Sequence, residues 1–134
     1  GPDRRSGEAA TAGRFKDLPI SGETKLAIAE EMGNEWMTPV QAEAIPPILA
    51  GDDVIARAKT GTGKTLAFAI PIAEAIRHLP ASRGGQIRAL VIEPTRELAM
   101  QTAAAIRDLL KYHTGHGVFT IMGTNDFYEE MARL

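Results

Sequence analysis

The spacing of apolar and polar positions divides the chain into alternating helical and strand-like stretches. From Ser21 to Gly33, the residues Leu26, Ile28, Ala29 and Met32 give an apolar helical face, with Ser21 suited to cap the start and Gly33 to end it. Thr38 followed by Pro39 marks a second helix start, and Pro46-Pro47 predicts that this helix breaks or restarts after little more than two turns. Residues 53–58 (DVIARA) form a short strand pattern rich in β-branched residues. A glycine-rich loop follows, and then a helical stretch to about Leu79, bent near Pro71. Residues 88–94 (RALVIEP) read as a buried strand. From Thr95 to about Tyr112, a helix should place Leu98, Thr102, Ile106, Leu109 and Leu110 on one face. Residues 118–122 (VFTIM) form a third strand, and Asp126 is placed to cap a last helix. This alternation argues for an α/β fold, a parallel sheet with helices packed on its faces.

Composition narrows the picture modestly. With 134 residues, 44% apolar and 24% charged, the chain is suited to one domain with one core. A formal net charge of −2 means that any nucleic-acid contact is a local patch. The absence of Cys excludes disulfides and thiolate metal sites. No apolar run approaches the ~20 residues that span a bilayer, so no membrane role is expected. Residues 1–14 are small and polar, a disordered leader whose Gly-Pro start has the look of a tag scar. His113 and His116 stand three apart, but with no carboxylate or thiol beside them a metal site there is not expected.

The chemistry concentrates in residues 58–65, AKTGTGKT: Ala58, Lys59, Thr60, Gly61, Thr62, Gly63, Lys64 and Thr65. A strand that runs into a glycine-rich turn and then a helix is the setting of a phosphate-binding loop. Gly61 and Gly63 let the backbone curl so that amide N–H groups converge on an anion. Lys64, at the helix start, can reach the β- and γ-phosphates, and the Thr65 hydroxyl can ligate Mg²⁺. Ala58 stands where the common pattern has Gly; its small methyl still permits a tight exit from the strand. Glu93, at the next strand end, is either a metal-holding carboxylate or a packing residue, and the second reading is preferred.

Three separated segments together resemble the DEAD-box ATP-dependent RNA helicases. TPVQ (Thr38 to Gln41), with Phe15 upstream, is similar to their adenine-recognition motif. AKTGTGKT is similar to their motif I, in which Ala at the first position is normal, and PTRELA (Pro94 to Ala99) to their motif Ia. The wording VIARAKTGTGKT also resembles fungal mitochondrial members that act as RNA chaperones.

The resemblance implies the first part of a P-loop NTPase, RecA-like domain over residues 15–134. It implies ATP and Mg²⁺ as cofactors, RNA bound through its backbone, and an activity of unwinding or remodelling RNA. Gln41 would read adenine in bidentate fashion, helped by Thr38. Phe15 would stack on the base, or staple the next helix, or do both. Pro94, Thr95, Arg96 and Glu97 would touch the RNA backbone, with an intradomain ion pair as the competing role for Arg96. Gly123 keeps the first of two family glycines; Thr124 replaces the second, which puts close RNA approach there in question. Asn34 and Met37 depart from the family's Phe and Pro, so a looser adenine pocket or use of Trp36 is expected. In the family the position of Glu93 does not hold the metal; that role belongs to the first Asp of a DEAD motif, which these residues lack. The chain alone is therefore expected not to turn over ATP. It lacks the rest of the first domain and the second RecA-like domain, and its sheet is expected to be incomplete, with unpaired edges or another copy packed against them. Two other readings stand beside this one: a different P-loop NTPase, such as a DNA translocase or kinase, and a non-catalytic binding or assembly piece.

Overall fold

A computed structural model describes residues 13–33, 35–61, 63–81, 85–123 and 131–133. A 3₁₀ turn at Phe15–Asp17 precedes helices α1 (Gly22–Met32), α2 (Pro39–Leu49), α3 (Lys64–Ile76) and α4 (Arg96–Leu109). Three of these helices begin where local chemistry places them. Ser21, Thr38 and Thr95 each cap a helix by accepting a bond from a first-turn amide. Gly33 ends α1 at φ 58°, a left-handed conformation that glycine adopts without strain.

The helices share one core. Ile28 of α1, Ile45 of α2, Ile70 and Ala73 of α3, and Ile106 and Leu109 of α4 pack together with Phe15, Leu18 and Met37. Several expectations are corrected here. Helix α2 runs through Pro46 and Pro47 to Leu49. The two prolines each remove one helical N–H, but Ala44 and Ile45 just before them are buried against α3, and that packing holds the helix. On α1 the inward face is Thr24, Ala27 and Ile28, while Leu26 and Ala29 face solvent. On α4, Ala103 is buried and Leu98 is exposed, because the first turn projects beyond the core. Helix α3 ends at Ile76, before Leu79.

The strand segments differ most from expectation. Among the described residues no strand forms; the one β-bridge joins Arg14 to Trp36. No amide of 53–58, 88–94 or 118–122 donates to another backbone carbonyl there. Side chains of the last two segments still alternate. Val91 and Val118 pack on the helical core, whereas Leu90, Ile92, Phe119 and Ile121 face away from it. These two segments therefore turn one side to the helices. Arg14, assigned to the leader on composition, is held in place: it pairs with Glu35 at 3.1 Å and lies 4.6 Å over the Trp36 ring. The Asp126 cap lies outside the described residues.

Candidate nucleotide site and nucleic-acid surface

Thr38 and Gln41 form a reciprocal cap. The Thr38 hydroxyl accepts from the Gln41 amide at 3.4 Å, and Gln41 Oε1 accepts from the Thr38 amide at 2.9 Å. The other end of the same side chain points across to the glycine loop, where Gln41 Nε2 donates to the Gly63 carbonyl at 3.2 Å. Gln41 is only 3% exposed, so both halves of its amide are committed in a dry setting. Residues 38–41 and the glycine loop, 22 residues apart, are thereby joined by one side chain.

Gly63 explains why the loop needs glycine at that place. Its φ is +83°, and a Cβ there would sit 2.2 Å from Gln41 Nε2 and 3.3 Å from Thr38 Oγ1. Gly61 is also left-handed, at φ +82°, but a Cβ there would meet open space. Gly63 starts α3 without any side-chain cap, leaving the first-turn amides for an anion at the positive end of the helix. Lys64 is exposed and Thr65 half-buried at that end; Lys59 and Thr60 are exposed, Ala58 is half-buried, and Thr62 lies outside the described residues. This donor set fits a nucleotide phosphate: amides and an ammonium for charge, a hydroxyl for Mg²⁺.

Phe15 sits apart from this pair. Its ring is 5% exposed beneath α1, the staple position. A cavity of about 290 Å³ beside it is lined by Lys16, Lys25, Ile28, Gly33 and Glu35, and Gln41 does not reach it. Trp36 has one face covered by the Arg14 guanidinium. Asn34 lies outside the described residues, and Met37 is buried in the core. A larger groove of about 590 Å³ lies at the far end of α3, around Pro19, Pro46, Pro71 and Arg77, away from the phosphate loop.

The second surface is the start of α4. Pro94, Thr95, Arg96 and Glu97 are all exposed, and the Thr95 hydroxyl accepts from the Leu98 amide at 3.1 Å. Arg96 Nε donates to Met122 Sδ at 3.2 Å, which brings the helix start beside the third segment and its exposed Gly123. Thr124 lies outside the described residues. Glu93 accepts from the Thr102 hydroxyl at 2.7 Å, so its carboxylate serves the packing of α4.

One further side chain escaped the sequence reading. Glu74, 9% exposed, accepts from the Ser21 amide and from the Ser21 hydroxyl at 3.0 Å, and pairs with Arg77 at 3.1 Å. Thr24 Oγ1 lies 3.4 Å from the same carboxylate and 2.8 Å from His113 Nε2. Thr24 has one hydroxyl hydrogen; given to Glu74, it leaves His113 to donate from Nε2. His116 Nε2 donates to the Leu79 carbonyl at 3.1 Å, so each histidine has a structural partner. The available signal was an acid inside the apolar run AIPIAEAI.

Comparison with known proteins places this geometry. A family model described as DEAD/DEAH box helicase matches residues 38–134. The chain is 47% identical over 121 residues to "DEAD-box ATP-dependent RNA helicase 26" of Oryza sativa, covering 90% of this chain and 22% of that protein. It is also 47% identical over 111 residues to an ATP-dependent RNA helicase of Pyricularia oryzae, covering 83% and 19%. Among solved structures, an ADP-bound RNA helicase from Chaetomium thermophilum superposes with a TM-score of 0.74 at 32% identity, over 87% of this chain and 28% of that one. A DEAD box protein from Methanococcus jannaschii gives 0.68 at 33%, over 87% and 31%. The chain thus spans about a fifth of the curated relatives and under a third of the solved chains, and its fold is the RecA-like α/β fold of those helicases, present in part. The chain belongs to the DEAD/DEAH box helicase family.

Proposed function

We propose that the protein is an ATP-dependent RNA helicase and that this chain supplies its adenine motif, its phosphate loop and part of its RNA-binding surface. The observation that carries the reading is the Gln41 bridge, which joins the two nucleotide motifs through one buried amide. ATP phosphates lie on the first-turn amides of α3 and on Lys64, with Mg²⁺ on the Thr65 hydroxyl. Gln41 reads adenine by exchanging the Gly63 carbonyl for the base edge, so base recognition and loop shape respond together. RNA phosphates lie against Thr95 and Arg96 at the start of α4, a contact that gives affinity without reading sequence.

Hydrolysis needs carboxylates and a second domain beyond these residues. Full-length protein should turn over ATP faster with RNA present, and the 134-residue chain should not turn it over at all. Turnover by the short chain would contradict this division of labour. The wording of residues 54–65 supports a mitochondrial RNA chaperone in particular. A fluorescent fusion of the full-length protein that stays out of mitochondria would refute that part alone.

A further inference from the structure

The corner between residues 88–94 and α4 carries the proposed RNA contact, and a side-chain bond ties it to the body of the helix. Pro94 has no N–H, and among the described residues no amide of 93–95 donates to another backbone carbonyl. Backbone bonds therefore do not fix the angle at which the chain enters α4. Side chains do so from the near side of the turn. Val91 packs on the helical core, and Glu93 Oε1 accepts from the Thr102 hydroxyl at 2.7 Å. Thr102 is 4% exposed and lies on the buried face of α4 with Ile106 and Leu109. The half-buried Glu93 is thus anchored to the rigid side of the helix.

The charge sharpens the point. Glu93 stands two residues before Thr95, and a carboxylate turned outward there would repel a phosphate. Its bond to Thr102 turns it toward the core instead, and a hydroxyl donating to a carboxylate makes a stronger bond than one between neutral groups. What the corner uses is the acceptor oxygen, not the charge.

We propose that Glu93 is a positioning residue for RNA binding: through Thr102 it fixes the entry of the chain into α4 and so sets Thr95 and Arg96 against the RNA backbone. The inference rests on the helicase reading above and adds to it a residue that touches neither nucleotide nor RNA.

Anisotropy of a labelled single-stranded RNA, titrated with the full-length protein and a non-hydrolysable ATP analogue, tests it. ATP affinity is measured in parallel without RNA, and circular dichroism confirms that each variant is folded. Glu93→Ala and Thr102→Val should each weaken RNA binding about 5-fold, the worth of one such bond, and leave ATP affinity unchanged. Glu93→Gln keeps an acceptor oxygen and should bind RNA as wild type does. The double variant Glu93→Ala with Thr102→Val should be no weaker than either single one, because both changes remove the same bond. Undiminished RNA binding by Glu93→Ala, additive losses in the double variant, a Glu93→Gln as weak as Glu93→Ala, or an equal loss of ATP affinity would each overturn the proposal alone. A wild type that does not bind RNA would overturn the helicase reading and the proposal with it.

Discussion

At the residue scale, Gly63 and Gln41 depend on each other. Gly63 needs its left-handed backbone for the turn and its missing Cβ for the Gln41 amide. Gly63→Ala should therefore act twice. The left-handed residue costs about 1–2 kcal/mol in stability, and displacement of Gln41 should lower nucleotide affinity at least 10-fold. Chemical denaturation and a nucleotide titration measure the two effects separately. Gly61→Ala shares the first cost but meets no side chain, so its denaturation midpoint should fall with a smaller effect on affinity. Equal affinity losses at the two glycines would mean that the Gln41 contact is not what matters.

At the element scale, the helices are tied together by polar contacts that local sequence does not announce. Glu74 fastens the C-terminal half of α3 to the N-terminus of α1. Removing it leaves Arg77 unpaired and the start of α1 without its acceptor. Glu74→Ala should cost about 1–2 kcal/mol, read as a lower denaturation midpoint. A second fastening lies on the surface, where Glu30 of α1 accepts from Tyr112 and pairs with Lys111 at 3.1 Å, just after α4. The Tyr112 hydroxyl, and then Lys111, hold the Glu30 carboxyl below its usual range. Glu30 in turn raises Lys111 and Tyr112. A lowered acid stabilises the fold above its unfolded pKa and loses that contribution as pH falls through the folded value. The raised Lys and Tyr contribute below their unfolded values and lose it as pH rises through the folded ones. The Tm difference between wild type and Tyr112→Phe should thus be greatest between about pH 5 and 9 and shrink on both sides. A constant difference from pH 3 to 11 would show that the clasp does not depend on these charges.

What could be read from sequence follows the same division between near and far. Ser21 and Thr38 were legible as caps because each acts on an amide three residues away. Pro46 and Pro47 misled because the packing that keeps α2 intact comes from α3, a separate element. Leu26 and Leu98 fit a helical period yet face solvent, since periodicity marks a face without saying which side is covered. The phosphate loop was legible as a motif, but the bond from Gln41 to the Gly63 carbonyl is a tertiary fact and needed coordinates.

At the scale of the whole molecule, the helices pack well together, and among the described residues the far side of the segment after Arg88 is exposed. Leu90 and Ile92 are 76% and 84% exposed although they lie in an apolar run. Val91 between them packs on the helical core, so among the described residues the helices cover one side of this segment and leave the other open. Gln41 and Gly63 are set by α2 and α3, which pack closely against each other, and in the proposed reading these residues hold the nucleotide. Nucleotide binding is therefore expected of this chain even though turnover is not. The most direct test of the central claim is calorimetric titration of ATP and GTP, each with Mg²⁺, into wild type, Gln41→Ala and Lys64→Ala. The account predicts that wild type binds ATP at least 10-fold more tightly than GTP, that Gln41→Ala removes this preference, and that Lys64→Ala weakens both nucleotides. Equal binding of ATP and GTP by wild type, or an ATP preference that survives Gln41→Ala, would contradict it.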